Sequence, residues 1–240
     1  MRLIYIFHSG FLIEAEGFAI LIDYYKDTGV APREGYVHQT LLGKPGRLYV
    51  LSSHAHPDHF NKEILQWREE KEDMQYLFSR DILRARKAGE EDAVYLMKGE
   101  EYTDEYLSVK ALGSTDIGIS FLIRAEGKTI FHAGDLNNWH WKDESNPEEI
   151  AVAERDYLKE LELLADTTDH LDVALFPVDP RLGTDFARGA EQLIDRIPVD
   201  LFAPMHFGEN YDKLKPFYIY AQSKGVAVME LTEKAQSINI

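Results

Sequence analysis

The sequence predicts an α/β fold, a β-sandwich flanked by helices, built as one domain over residues 1–240. Three observations carry this. The opening is a series of short β-rich runs punctuated by glycine, the second half alternates apolar strands with amphipathic helices, and neither a low-complexity linker nor a repeat separates the halves. The chain has 240 residues, of which 45% are hydrophobic and 12% aromatic, ample for a packed core.

In chain order, RLIYIF, FLIEA and FAILID, broken at Gly10 and Gly17, predict an antiparallel meander. A Gly/Pro-rich segment from Thr28 to Gly46 follows. Then LYVLSS, Leu48–Ser53, predicts a buried strand that runs into the stretch SSHAHPDHF, residues 52–60, on a strand-to-helix loop. Next come a helix over Lys62–Lys71, a strand at QYLF, a helix over Ile82–Lys87, and strands at AVYLM, YLSVKAL, ISFLIRA and TIFHA. The rhythm then changes to a long amphipathic helix from Pro147 to about Ala165, strand DVALFPV, helix Asp185–Ile197, strand DLFAP, helix Lys213–Ser223 and strand VAVME.

Composition narrows the function. With 42 acidic against 26 basic residues the formal charge is −16, and no run of five or more lysines and arginines breaks that field, so a nucleic-acid partner is disfavoured. The acid-rich stretch REEKEDM, Arg68–Met74, reads as solvated surface. Apolar runs such as FAILI are too short to span a bilayer, and MRLIYIF carries no cleavage-site pattern, so the expectation is a soluble, cytoplasmic protein with no membrane partner. The chain has no cysteine, so any metal must be held by imidazole and carboxylate, which favours zinc, manganese or iron.

Three histidines and an aspartate fall within the six positions His54 to His59. In an extended segment His54 and His56 project to one side, where two imidazoles reach one ion at about 2.0–2.1 Å. Asp58 and His59 are placed at the start of the following helix, turned the other way, which suggests ligands for two neighbouring sites. A bland alternative is a helix N-cap by Asp58 beside three exposed histidines. Two further candidates occupy strand ends: Asp135 follows TIFHA and a glycine, and His206 follows DLFAP. Each alone reads as an ordinary turn or half-buried residue.

Taken together, these motifs resemble the metallo-β-lactamase-fold hydrolases over nearly the whole chain. The family's HxHxDH motif is HAHPDH here, its first strand-end aspartate matches Asp23 in ILIDYY, its bridging aspartate matches Asp135 in HAGD, and its final histidine matches His206. The opening FHSGFLIEAEGFAILID and the closing APMHFG look most like the branch containing L-ascorbate-6-phosphate lactonase. The resemblance implies a four-layer αββα sandwich with a dinuclear centre. His54 and His56 would bind the first metal, Asp58, His59 and His206 the second, Asp135 would bridge, and Asp23 would orient a ligand histidine from behind. The expected cofactor is zinc, one or two ions, with manganese or iron as alternatives, and the resemblance implies a metal-held hydroxide as nucleophile that Asp58 orients.

One departure stands out. The family supplies a third histidine to the first metal between its two central motifs, where this chain reads VKALGSTDIGISFLI. Ser114 or Thr115 falls near that place, and Asp116 offers a carboxylate or is a turn aspartate. His8, His132 and His140 stay outside the ligand set. PVDPR places Asp179 and Arg181 at a strand end, either as a rigid proline turn with a surface ion pair or with Arg181 meeting an anionic substrate. The expected activity is metal-dependent hydrolysis of a small molecule with an ester, lactone or phosphodiester bond. The alternatives are a non-catalytic metal-binding or ligand-sensing module on the same fold, and a nucleic-acid phosphodiesterase, which the acidic balance disfavours. A flavin-linked oxygen reductase is not expected, since no flavin-binding segment is read within these 240 residues.

Overall fold

Runs of alternating and fully apolar residues build two mixed seven-stranded sheets, one in each of two compact units. The computed structural model describes residues 1–31 and 33–240. The first unit comprises Met1–Met97 with Glu233–Ile240, and the second Lys98–Thr232.

In the first unit β1 (Arg2–Phe7), β2 (Gly10–Glu14) and β3 (Phe18–Ile22) form the expected antiparallel meander, with Leu3 opposite Ile13 and Leu12 opposite Leu21. The β1–β2 register shifts between Tyr5 and Phe7, and Phe7 pairs with Gly10. A Cβ on Gly10 would lie 2.9 Å from the Phe7 carbonyl oxygen and 3.2 Å from that of Asp23, so only glycine lets this turn close. β4 (Arg47–Ser52) joins β3 in parallel, β5 (Met74–Ser79) joins β4, and β6 (Val94–Leu96) joins β5. Five of the six β4 residues are buried, as a central parallel strand covered on both faces requires. Below this sheet Ile6, Leu21, Val50, Phe60, Ile64, Trp67, Phe78 and Ile82 share one core, each contributing about 1.5–3 kcal/mol through burial.

Local structure departs from expectation in three places. The helix after the histidine loop is a 3-10 helix, Lys62–Glu69, capped by Asn61, whose Oδ1 accepts from the Glu63 amide at 3.0 Å. Asp58 is therefore not the cap, and it stands in the turn before it. The short α1 (Arg80–Arg84) begins two residues early. The Gly/Pro-rich segment holds a π-helical turn, Val37–Leu41, that buries Val37 and Leu41. Asp27 pins that turn: its carboxylate accepts from the amides of Thr28 (2.7 Å), Val37 (3.0 Å) and His38 (2.9 Å) and lies 2.8 Å from His38 Nδ1.

In the second unit β7 (Glu101–Thr103), β8 (Leu107–Leu112), β9 (Ser120–Ala125) and β10 (Lys128–His132) are antiparallel neighbours in order. β11 (Leu171–Pro177), β12 (Val199–Met205) and β13 (Ala227–Val228) continue the sheet in parallel. The crossover from β10 to β11 is α2 (Pro147–Thr167), which starts with a capping box of Asn146 and Glu149 and buries Tyr157, Leu161 and Leu164 at helical spacing. α3 (Arg188–Arg196) and α4 (Lys215–Ser223) supply the later βα alternations. The three-residue β7 and β14 (Ser237–Asn239, antiparallel on β1) carry too little pattern to be read from sequence. Among the described residues no helix is long and apolar enough to cross a membrane.

Candidate metal centre

In the first unit, the ends of β3 and β4 lie side by side, which brings Asp23 to Ser53 and the histidine loop. Asp23 is fully buried and in the left-handed region (φ 49°), an uncommon state for a residue that is not glycine. Its Oδ1 accepts from the Ser53 amide at 2.7 Å, and its Oδ2 accepts from Ser53 Oγ at 2.7 Å and from His59 Nδ1 at 2.7 Å. A carboxylate can only accept, so the proton of His59 is on Nδ1 and Nε2 keeps its lone pair. Ser53 Oγ, having given its hydrogen to Asp23, accepts from His54 Nδ1 at 3.0 Å, which leaves His54 Nε2 with a lone pair too. Asp23 thus sets two imidazoles at once, one directly and one through Ser53. Sequence reasoning placed Asp23 behind the site but missed Ser53, whose signal was its position immediately before His54 on a strand end.

His54 Nε2 stands 3.0 Å from His56 Nδ1. Two nitrogens at metal-bond length from a tetrahedral ion are about 3.3 Å apart, so the pair fits one cation. The loop between them is braced through Ala55: its amide donates to Asp81 Oδ2 at 2.8 Å and its carbonyl accepts from Lys87 Nζ. Asp58 faces His8, with Nε2 3.4 Å from Oδ2, and His8, Asp58 and His59 each present a ligand atom within 4.8 Å of one another. His8 also has positive φ, 58°. The sequence reading sets His8 outside the ligand set, and the structure stands it beside Asp58 and His59.

In the second unit β10 passes into Gly134 (φ 55°) and Asp135. His206, left-handed at φ 66°, follows β12, and its Nε2 lies 3.3 Å from Asp135 Oδ1. Its Nδ1 is held at 3.0 Å by Asp179 Oδ2. Burial alone would raise the Asp179 carboxyl, but hydrogen bonds from His206 and Arg181 outweigh it and bring the pKa down to about 2. Asp179 is the second carboxylate that orients a candidate ligand, an arrangement that fixes the tautomer of metal-binding histidines. Arg181 grips it through Nε at 2.9 Å and Nη2 at 2.6 Å, so the ion pair of the proline turn is present, although its acid is buried.

The segment lacking histidine is a latch. Thr115 Oγ1 donates to the Asn137 carbonyl at 2.7 Å and accepts from the Asn137 amide at 3.0 Å, and Ser114 Oγ accepts from the Asp116 amide at 3.2 Å. Asp116 is exposed, and it and Asp135 offer carboxylate oxygens within 4.8 Å of one another. His140 and His132 are structural: His140 bonds the Asp185 carbonyl and the Lys142 amide, and His132 Nδ1 accepts from Gly134. A surface group, His170 with Asp172 and Asp200, also has metal-ligand spacing, but Asp172 is already paired with Lys128 and the Thr129 amide. The imidazole and carboxylate donors of each unit suit zinc, manganese or iron.

Known structures share the fold over the full length. Igni18, a metallo hydrolase from the archaeon Ignicoccus hospitalis, is 17% identical, and the alignment covers 100% of this chain and 98% of that one with a TM-score of 0.70. The diiron β-hydroxylase CmlA from Streptomyces venezuelae is 16% identical with a TM-score of 0.69, and the whole of this chain spans 54% of it. An isothiocyanate hydrolase from Delia radicum gut bacteria is 14% identical, covering 100% and 99% of the two chains with a TM-score of 0.61. No curated protein matches the chain. The two mixed sheets flanked by helices are those of the αββα metallo-β-lactamase sandwich. The family model for the beta-lactamase superfamily domain matches residues 2–153, well over half of the sequence and including both HAHPDH and Asp135, and the chain belongs to that superfamily.

Proposed function

We propose that the protein is a metal-dependent hydrolase of a small molecule with an ester, lactone or phosphodiester bond. The observation that carries this is the pairing of a buried carboxylate with a histidine in each unit, Asp23 with His59 and Asp179 with His206, each turning Nε2 outward as a ligand atom. In this reading His54 and His56 would hold one ion, Asp58, His59 and His206 would hold a second, Asp135 would serve both, and Asp116 would be the carboxylate that completes the first set. The two units act as one domain, the ion is zinc or, in its place, manganese or iron, and the protein is cytoplasmic.

A bound divalent ion would supply Lewis acidity and lower the pKa of coordinated water towards neutrality. The remaining work falls to the chain. The Asp58 carboxylate orients the attacking water, takes its proton and passes it to the leaving group, with His8 Nε2 beside Oδ2 to hold that carboxylate in place. Ser53 and Asp23 keep the imidazoles in a single tautomer throughout. A metallo hydrolase, a diiron β-hydroxylase and an isothiocyanate hydrolase on this fold give the reading precedents, and iron one too, but the choice rests on the site.

The test is metal analysis of protein purified without added metal, followed by assay of generic esters, lactones and bis-phosphates with the metal found. Turnover that disappears with chelator supports the reading. One stably held ion with no turnover would favour a ligand-sensing module, the alternative raised by a first site whose histidine is replaced by the Thr115 latch.

A further inference from the structure

The segment NNWHW follows Asp135 and has no part in metal binding as described, yet it sets two large indoles beside the candidate ligands. Trp139 donates its Nε1 hydrogen to the Asp135 carbonyl at 2.8 Å, and its ring meets that of His206 edge-on, with centroids 5.4 Å apart. Trp141 lies nearly parallel to Trp139, at 6.4 Å and 18°. Both are only partly buried, whereas Trp67 is packed in the core at 2% exposure. Trp141 holds positive φ, 41°, a strained state for a bulky residue. The strain is held in place by His140, which bonds the Asp185 carbonyl and the Lys142 amide, and by the Trp141 carbonyl, which accepts from the amides of Glu144 and Ser145. Two indoles kept partly exposed about a strained turn are poorly explained by core packing. Arg181 Nη2 lies 3.2 Å from His206 Nδ1 while its Nε and Nη2 hold Asp179, and the arginine side chain is 59% exposed.

We propose that Trp139 and Trp141 form the binding face for a planar, apolar part of the substrate, with Arg181 placed for an anionic group on it. The proposal rests on the reading of Asp135 and His206 as metal ligands, and it names the substrate class as esters or lactones that carry an aromatic or heteroaromatic ring and a separate anionic group. Indole faces favour offset stacking of flat rings, and a guanidinium favours a carboxylate in its plane.

Indole fluorescence tests this without any turnover. The protein, with its metal content measured, is titrated with benzoate, cyclohexanecarboxylate and benzyl alcohol, and emission is excited where only tryptophan absorbs. Because Trp67 is buried, Trp139 and Trp141 carry the response. We expect saturable quenching by benzoate, about tenfold weaker binding of cyclohexanecarboxylate, which cannot stack, and weakening of similar size in Trp139→Leu, with Trp139→Phe restoring much of it. Arg181→Gln should erase the preference for benzoate over benzyl alcohol. Equal binding of benzoate and cyclohexanecarboxylate, or no saturable quenching in wild type that folds and holds metal, would overturn the proposal. Chelator-sensitive hydrolysis with no such discrimination would overturn it while sparing the hydrolase reading. Selective benzoate quenching in a protein that holds no metal would support the aromatic site and sink the metal reading.

Discussion

Asp23 and Asp179 perform the same task on different histidines, and each can be tested singly. Asp23→Asn replaces the acceptor of three hydrogen bonds with a group that must also donate, leaving Ser53 and His59 mismatched in a fully buried site. The expected losses are about 3 kcal/mol of stability and about 10- to 100-fold in metal affinity, measured by urea unfolding and by competition with a chromophoric chelator. Asp179→Asn should show a similar drop in metal affinity. Asp116→Ala should release about one equivalent of metal if that carboxylate closes the first shell, while Ser114→Ala should release none, since Ser114 Oγ caps the Asp116 amide. At this scale the local motif was legible: HAHPDH is visible because its ligands are neighbours. Ser53, the Asp179–His206 pair and the contact of His8 with Asp58 were not, because they join residues whose approach depends on where strands end and how turns are strained, as the positive φ of His8, Asp23 and His206 shows.

Among the elements, the brace at Asp27 and the cap of α2 can be read as independent stability contributions. Burial would raise the Asp27 carboxyl, but acceptance from the amides of His38, Val37 and Thr28 and from the His38 ring holds it below its ordinary 3.8. A depressed folded-state pKa gives stability that is present above about pH 4 and is lost as pH falls through the folded value. Asp27→Asn should therefore destabilise at pH 6 by about 2 kcal/mol, and the gap from wild type should shrink as urea unfolding is repeated towards pH 3. Asn146→Ala removes the α2 cap and should cost about 1 kcal/mol at any pH between 5 and 8. Strands of five or more residues and the long capped helix were legible, since their periodicity repeats several times. The 3-10 character of Lys62–Glu69 and the π-turn at Val37–Leu41 were not, because these depend on single contacts at Asn61 and Asp27.

At the scale of the whole molecule, the described residues form fourteen strands in two sheets, a fold that solved structures share at 14–17% identity, so the sheets specify the scaffold and the chemistry must be argued from the strand ends. If the ion binds the folded protein and not the unfolded chain, metal at 100 times its Kd adds about 2.7 kcal/mol. Chelator should then lower Tm by about 5–10 °C, given about 2–4 °C per kcal/mol for a chain of this size. The formal charge of −16 repels an anionic substrate at long range, so salt should speed its approach by screening that average field. The central claim is that HAHPDH, Asp135 and His206 hold the metal. Anomalous diffraction at the zinc, manganese and iron edges, from crystals of protein purified without added metal, tests it most directly. The account predicts anomalous peaks ligated by His54, His56, Asp58, His59, Asp135 and His206, and a peak found only at His170, Asp172 and Asp200, or none at any of the three edges, would contradict it.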